Sequence, residues 1–170
     1  MLTSGCVGRD VTRPSAEFLR LGKTTYAEVI ARFGSPDYEG MTDQTVKAVV
    51  YSYARHGEES RVDQMARARV PGLTKLLGVT PARAQRYYFV DSLLVGHEYL
   101  SSFATDHTDF NETRIAQIKK GTTTQVEVTD LMGPSTGSYM YPLVSRKNDR
   151  GLVYAYYQTQ TEQLSAPKYR

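Results

Sequence analysis

The sequence has no tryptophan, a single cysteine and no long apolar run. One cysteine excludes an internal disulfide and a cysteine-based zinc site. A membrane-spanning helix needs about 18 consecutive apolar residues, so none is predicted. The net charge of +3 is too small to indicate nucleic-acid binding by itself. The apolar content of 40% and the charged content of 23% are those of an ordinary globular chain.

Motifs for catalysis are also lacking. The sequence contains neither a Gly-x-Ser-x-Gly elbow nor a phosphate-binding loop. None of the histidines has a second histidine or a cysteine at metal-ligand spacing; they are His56, His97 and His107. The acidic segment 106–112 lacks the residue order of a calcium loop. We therefore expect neither an enzyme nor a bound metal or cofactor. A small hydrolase is the least favoured alternative, and it would require a deep pocket with convergent polar groups.

A segment near the N-terminus recurs in the second half of the chain. Residues 19–36 and 118–134 share six identical residues at a spacing of 99 positions: Gly22, Thr24, Thr25, Glu28, Val29 and Gly34 match Gly121, Thr123, Thr124, Glu127, Val128 and Gly133. In both segments a threonine precedes a glutamate by three residues, which is the spacing of a helix-capping box. Their paired glutamates are therefore interpreted as helix caps, not as catalytic carboxylates.

The remaining pattern predicts helices that alternate with antiparallel strands. The predicted helices are 15–19, 25–33, 60–69, 72–78, 112–120 and 124–132, and the predicted strands are 46–54, 86–91, 93–103, 139–144 and 152–159. Segment 38–45 is predicted to be a loop. The hairpin 86–103 is expected to turn at Asp91-Ser92.

These elements predict an α+β fold of two tandem repeats, each a short helix pair packed on an antiparallel sheet. A flexible tether over 1–14 precedes the first repeat, 15–104, which carries an insertion at 55–85. The second repeat, 105–170, is incomplete because it lacks a final hairpin. Either the native chain continues, or the second sheet takes strands from the first repeat or from a partner chain. An open sheet edge would also permit association of two copies.

The repeat resembles the small outer-membrane lipoproteins of the BamE type, the SmpA/OmlA family, and the tandem units of beta-lactamase inhibitor protein. The resemblance rests on three pieces of sequence: Leu19-x-x-Gly22-x-Thr24-x-x-x-Glu28-Val29-x-x-x-Phe33-Gly34-x-Pro36, Tyr51-x-Tyr53, and 88–94. It implies an envelope lipoprotein that acts by binding, located on the periplasmic face of the outer membrane. The resemblance implies no catalytic residues in this sequence.

The cysteine lies where this resemblance would place a lipid. Leu2-Thr3-Ser4-Gly5-Cys6 resembles the end of a bacterial lipoprotein signal, with Thr3 at the usual aliphatic position. The charged and apolar regions of a signal are missing, so we expect that the start was trimmed or mis-assigned. Lipidation of Cys6 is predicted; the alternative is a stray thiol in an N-terminal tail.

Two groups of residues are candidates for binding. Strand tyrosines could form a protein-binding surface, or could pack beneath the helices as core: Tyr51, Tyr53, Tyr154 and Tyr156. Basic residues could meet anionic lipid or an acidic partner, or could be solvated loop residues: Arg61, Arg67, Arg69, Lys75, Arg83 and Arg86.

The sequence therefore predicts a lipid-anchored envelope module that binds a protein partner and no nucleic acid. The alternative is a secreted or periplasmic inhibitor built from the same tandem units. An inhibitor would insert a loop tip into its target enzyme, and 43–45 and 146–150 are the candidate tips.

Overall fold

The computed structural model describes residues 6–42, 45–69 and 80–156. They form an α+β fold with one antiparallel sheet of seven strands. The strands are β1 (Cys6–Gly8), β2 (Tyr38–Met41), β3 (Lys47–Arg55), β4 (Ala82–Val90), β5 (Leu93–Ser101), β6 (Gly137–Met140) and β7 (Arg150–Val153). The α-helices are α1 (Tyr26–Phe33), α2 (Arg61–Arg69) and α3 (Gln125–Met132). Within these ranges no helix is long and apolar enough to cross a membrane.

The sheet is a meander in chain order. Strands β2 to β7 follow one another across it, and β1 shares the outer edge of β3 with β2. Because neighbouring strands are antiparallel, the β2–β3, β4–β5 and β6–β7 connections all lie at one end of the sheet. Cys6 is paired with Arg55, so it lies at the opposite end.

The predicted hairpin and both predicted capping boxes are confirmed. Strands β4 and β5 turn at Asp91 and Ser92, whose φ angles of 49° and 65° are those of a type I′ turn. At the start of α1, the Thr25 amide donates to Glu28 at 2.7 Å and the Glu28 amide donates to the Thr25 hydroxyl oxygen at 3.2 Å. The same two bonds start α3, at 2.7 and 3.3 Å.

Other hydrogen bonds also occur at matching positions in the two halves. The Tyr51 hydroxyl donates to the Gly34 carbonyl at 2.7 Å, and the Tyr154 hydroxyl donates to the Gly133 carbonyl at 3.0 Å. Each of these glycines is the residue that ends a capped helix. In both halves, therefore, a tyrosine binds the C-terminal end of the helix: Tyr51 from within β3, and Tyr154 from the position directly after β7.

The main core lies between α1 and the face of β3, β4 and β5 beneath it. It contains the fully buried side chains Val29, Val49, Tyr87, Phe89 and Leu94. Phe33 of α1 stacks on Tyr87, with ring centroids 5.7 Å apart. Burial of such aromatic and aliphatic side chains contributes about 1.5–3 kcal/mol for each residue, so this half supplies most of the apolar stabilisation.

The second half is packed more loosely. Ile115, Ile118 and Val126 are 50%, 36% and 70% exposed. The strands of the second half extend the sheet of the first half, because β6 pairs with β5. Gly137 lies opposite Glu98, and Tyr139 lies opposite Gly96. This pairing is one of the arrangements that the sequence left open. Among the described strands, β7 lies at the outer edge.

The N-terminal segment differs from the flexible tether expected over 1–14. Residues 6–8 pair with β3, and Val11 is 5% exposed in the core. Asp10 accepts a hydrogen bond from Arg83 at 2.6 Å. These contacts join distant parts of the chain, so residues 6–14 lie against the sheet and do not form a spacer.

Some local predictions need correction. Tyr38–Met41 is strand β2 instead of a loop, because it forms antiparallel backbone pairs with β3. The composition of this segment does not predict a strand. Residues 16–18 form a turn where a helix over 15–19 was predicted, and Glu112–Gln117 forms a 3-10 helix capped by Asn111. The strand predicted over 152–159 ends at Val153, and the described residues after it, 154–156, are not in a strand. The predicted helix 72–78 lies outside the described residues.

Candidate functional site

Three side chains donate hydrogen bonds to one carboxylate on the sheet face opposite α1. Arg86, Tyr88 and Tyr139 donate to Glu98, over 2.8 Å from Nη1 of Arg86, 3.1 Å from the Tyr88 hydroxyl and 2.6 Å from the Tyr139 hydroxyl. We name these four residues the Glu98 cluster. Both carboxylate oxygens are occupied, and the Glu98 side chain is only 9% exposed. The cluster is therefore a fixed hydrogen-bonded unit.

Strand alternation places the cluster on this face. Successive side chains of a strand point to opposite faces, and Tyr87 and Phe89 lie in the core beneath α1. Arg86 and Tyr88 must therefore point the other way. The hairpin register brings Glu98 directly opposite Arg86.

Gly96 makes room for the aromatic part of the cluster. A Cβ at this position would overlap a methyl group of Leu143 and lie 2.8 Å from Cδ1 of Tyr139. Without it, the Tyr139 ring lies over the neighbouring strand and meets the Tyr88 ring edge to face, with centroids 5.7 Å apart and planes at 89°. This geometry is the favourable one for paired aromatic rings.

The tyrosines of the cluster remain protonated donors at neutral pH. Burial is the main cause of the raised pKa of Tyr88, and the negative charge of Glu98 raises it further. Burial and the hydrogen bond to Glu98 raise the pKa of Tyr139 well above its usual range. All three donors, one of them a guanidinium, therefore converge on one carboxylate, which fixes their positions on the sheet face.

The predicted basic residues do not form one cationic surface. Four of the six form ion pairs: Arg61 with Asp109 at 3.1 Å, Arg67 with Glu59 at 3.2 Å, Arg83 with Asp106 at 2.7 Å, and Arg86 with Glu98 at 2.8 Å. Arg69 is exposed at the end of α2, and Lys75 lies outside the described residues. Arg86 is the member of this group that the structure places in the cluster.

The predicted tyrosines lie away from the cluster. Tyr51 and Tyr53 are 4% and 6% exposed in the core, and burial raises the pKa of Tyr51 to about 12. The rings of Tyr154 and Tyr156 pack on Phe110 with centroids 5.7 and 5.5 Å apart. The structure thus gives Tyr51 and Tyr53 the core position that was the alternative for the strand tyrosines.

Three members of the cluster were not predicted as binding residues: Tyr88, Glu98 and Tyr139. The alternation along β4 was a usable signal, because it assigns Tyr88 to the face opposite Tyr87 and Phe89. The position of Tyr139 depends on β6 pairing with β5, which no local pattern indicates.

A search for metal-binding groups and comparisons with known proteins give no further indication of what the site binds. Across residues 6–42, 45–69 and 80–156, no three histidine, cysteine, aspartate or glutamate side chains are grouped so that they could hold a metal ion. No protein-family model matches the chain, and searches of curated proteins and of solved structures found no significant match.

Proposed function

We propose that this chain is a lipid-anchored bacterial envelope protein that binds a partner protein on the periplasmic side of the outer membrane and catalyses no reaction. The Glu98 cluster carries the proposal. Tyrosine and arginine are enriched in protein interfaces, and here they are fixed in advance on a sheet face. Binding to a prearranged surface costs less conformational entropy than binding to mobile side chains.

We further propose that the fold consists of two BamE-like repeats that share one sheet, the second repeat being incomplete. The support is the recurrence of the capping boxes and of the tyrosine-to-glycine bonds at matching positions. On this interpretation Ile118, which is 36% exposed, corresponds to Leu19, which is 8% exposed, so the second half lacks the cover that the first half has at this position.

The strand geometry is compatible with an anchor at Cys6. This residue begins β1 at the end of the sheet that carries Arg55, opposite the β2–β3, β4–β5 and β6–β7 connections. A lipid on Cys6 would hold this end near the membrane and direct the three connections away from it. One acyl chain gives only marginal anchoring, so several chains or added protein contacts are required.

Metabolic labelling of cells with a radioactive fatty acid tests the anchor. The native protein is expected to incorporate label, and Cys6→Ala is expected to abolish incorporation. Absence of label from the native protein, or label retained by Cys6→Ala, would reject lipidation without affecting the proposed binding surface.

Removing either cluster tyrosine is expected to weaken partner binding. The wild-type protein is first used to capture and identify a partner from envelope extracts. Tyr88→Ala and Tyr139→Ala are then expected to reduce the affinity for that partner at least tenfold, because truncating a central interface tyrosine costs about 2 kcal/mol. The measurement is a titration of each variant against the purified partner.

Tyr156→Ala is the matched control, since it removes a tyrosine outside the cluster. It is expected to bind like the wild type, and thermal unfolding should show that all three variants are folded. If the cluster variants bind normally and Tyr156→Ala does not, the partner uses another surface.

An enzyme inhibitor is the second candidate function. The β2–β3 and β6–β7 connections, which contain the candidate tips 43–45 and 146–150, lie at the same end of the sheet. Residues 43 and 44 lie outside the described ranges, while Arg146 is 83% exposed at its side chain. An inhibitor would lose affinity in Arg146→Ala and keep it in Tyr88→Ala, which is the reverse of the result expected for the cluster.

A further inference from the structure

A cavity lies on the helix side of the sheet, between the two halves of the chain. Its volume is about 510 Å³, and the N-terminal segment, β4, β5, β6 and the chain after α3 all contribute to its lining. We name it the inter-half cleft. Volumes of this size are typical of small-molecule sites. His97 lines it and directly precedes Glu98 in β5, so the two side chains point to opposite faces and the cleft is separate from the Glu98 cluster.

The lining carries one guanidinium group, that of Arg13. Among the described residues that line the inter-half cleft, none is an aspartate, a glutamate or a lysine. Arg13 donates from Nη2 to the Ser135 carbonyl oxygen, which holds the guanidinium against the second half of the chain. Within the ranges that the structure describes, Arg13 forms no ion pair. The protein therefore leaves this positive charge without a carboxylate partner there.

The charge of Arg13 acts on the interior of the cleft. His97 Nε2 lies 3.1 Å from the Ser138 hydroxyl oxygen, and both residues belong to the lining. Burial is the main reason why the pKa of His97 is lowered to about 4; the Arg13 charge lowers it further and the Glu98 charge opposes the shift. The His97 ring is therefore neutral at pH 7. Arg13 alone then gives the described lining its charge, which favours an anion over a neutral or cationic occupant.

The remaining lining suits an apolar body that carries a carboxylate. Pro134 is exposed and Pro14 and Leu152 are half-buried, so all three side chains are accessible from the cleft. A guanidinium binds a carboxylate through two parallel hydrogen bonds. One unpaired positive charge also matches the single negative charge of a carboxylate better than the charge of about −1.5 to −2 on a phosphate ester.

We propose that the inter-half cleft binds an organic carboxylate with a short apolar body. The carboxylate oxygens accept hydrogen bonds from the Arg13 guanidinium at the edge of the cleft. The apolar body lies against Pro14, Pro134 and Leu152. This site is independent of the proposed partner surface, and either can fail without the other.

Three compounds test the proposal: isocaproate, isocaproamide and acetate. The first two share one apolar body and differ in charge, whereas acetate keeps the charge and lacks most of the body. Titrations of the full chain are followed by the backbone amide signals of Ser135 and Ser138 in NMR spectra. Isocaproate is expected to bind about fivefold more tightly than isocaproamide, which is the upper end of the value of a partly exposed ion pair. Acetate is expected to bind at least about tenfold more weakly than isocaproate, because it buries less apolar surface.

Two arginine variants show whether the preference for the carboxylate arises from Arg13. Arg13→Gln removes the charge, so it is expected to bind isocaproate and isocaproamide equally. Arg20→Gln is the matched control, since Arg20 is also exposed in the N-terminal part of the chain but is not among the residues that line the cleft. It should keep the fivefold preference. Thermal unfolding should show that both variants are folded.

A further variant and a salt titration test the site without changing Arg13. Ala16→Phe fills the cleft from its exposed rim and is expected to weaken isocaproate binding at least about tenfold. In the wild type, the preference for isocaproate over isocaproamide is expected to shrink to below about twofold between 0.01 M and 1 M salt, because the Debye length falls from about 30 to 3 Å. Both measurements remain decisive if Arg13→Gln does not fold.

Equal affinity of the wild type for isocaproate and isocaproamide would overturn the proposal, as would no spectral change at millimolar isocaproate. A preference that persists in Arg13→Gln, or that is lost equally in Arg20→Gln, would show that Arg13 does not hold the carboxylate. Shifts that persist unchanged in Ala16→Phe would also overturn the proposal, because the compound would then be bound outside the inter-half cleft.

Discussion

Replacing Gly137 with alanine is expected to lower the free energy of unfolding by about 3 kcal/mol, at the upper end of the usual cost of overpacking. A Cβ at this position would overlap the carbonyl oxygen of His97 and lie 2.7 Å from Cα of Glu98. Both atoms belong to the backbone of β5, so they cannot move aside as a side chain can. The strain falls on the pairing that joins the two halves of the sheet. Denaturant unfolding measures the loss, and hydrogen exchange should show β6 and β7 opening first.

Gly151→Ala is the control for this substitution. It also adds one methyl group to a strand glycine, but the new Cβ would lie 3.2 Å from Cγ1 of Val144 and 3.6 Å from Cβ of Tyr139. Small shifts of these side chains relieve the closer contact, so we expect a change below about 1 kcal/mol. Equal stabilities for the two variants would mean that β6 does not pack on β5 as closely as the structure shows.

The Gly137 substitution should also affect the proposed binding surface. Glu98 lies directly opposite Gly137, and Tyr139 is two residues further along the same strand. Displacing β6 would separate the Tyr139 hydroxyl from the Glu98 carboxylate. Assembly of the Glu98 cluster and assembly of the continuous sheet therefore depend on the same strand pair.

The helix ends could be predicted from sequence because their determinants are local. A threonine three residues before a glutamate forms both bonds of a capping box within one turn of helix, and the same four-residue pattern works at Thr25 and at Thr124. The β4–β5 hairpin is similarly local. Its two strands are joined by Asp91 and Ser92 alone, so their pairing follows once the turn forms.

The cluster could not be predicted in full because it depends on contacts that are distant in sequence. Tyr139 and Glu98 are 41 residues apart and meet only after β6 has paired with β5. Strand β2 presents a related difficulty. It contains Glu39 and Gly40, residue types that are depleted in strands, and it forms because β3 offers it a hydrogen-bonding edge.

The prediction of a tether is wrong for residues 6–14 for the same reason, because their contacts are with residues distant in sequence. The glycines and polar residues of this segment are typical of disordered termini, yet Val11 is buried, and Asp10 is paired with Arg83, which lies 73 residues away. If Cys6 carries a lipid, that lipid is attached to the first residue of β1. The sheet would then be held close to the membrane, which restricts the orientations in which a partner can reach the Glu98 cluster.

Removing the Asp106 carboxylate is expected to destabilise the fold by about 3 kcal/mol, as for the loss of one partner of a buried ion pair. Asp106 accepts from Arg83 Nε at 2.7 Å, from the Tyr99 hydroxyl at 2.9 Å and from the Ser101 hydroxyl at 2.5 Å. The side chains of Arg83 and Asp106 are each 14% exposed. In Asp106→Ala these three donors lose their common acceptor, and Arg83 keeps its pair with Asp10. Denaturant unfolding at neutral pH measures the loss.

The effect of this substitution should depend on pH. Burial acts to raise the pKa of Asp106, but the hydrogen bonds from Arg83, Ser101 and Tyr99 outweigh it and hold the pKa below its ordinary value. A carboxyl group with a lowered folded-state pKa stabilises the fold above the unfolded-state pKa of about 4 and loses this contribution as the pH falls further. The difference between the wild type and Asp106→Ala should therefore be largest near pH 7 and shrink below about pH 4.

Asp109→Ala separates this effect from the loss of an ordinary surface ion pair. Asp109 also pairs with an arginine, Arg61, at 3.1 Å, but its side chain is 48% exposed. Solvent screens such a pair, so the expected cost is below about 1 kcal/mol. If Asp106→Ala costs no more than Asp109→Ala, or if its cost does not change between pH 7 and pH 3, the Asp106 network does not hold the 3-10 helix Ala104–Asp106 to the sheet in the way that its hydrogen bonds indicate.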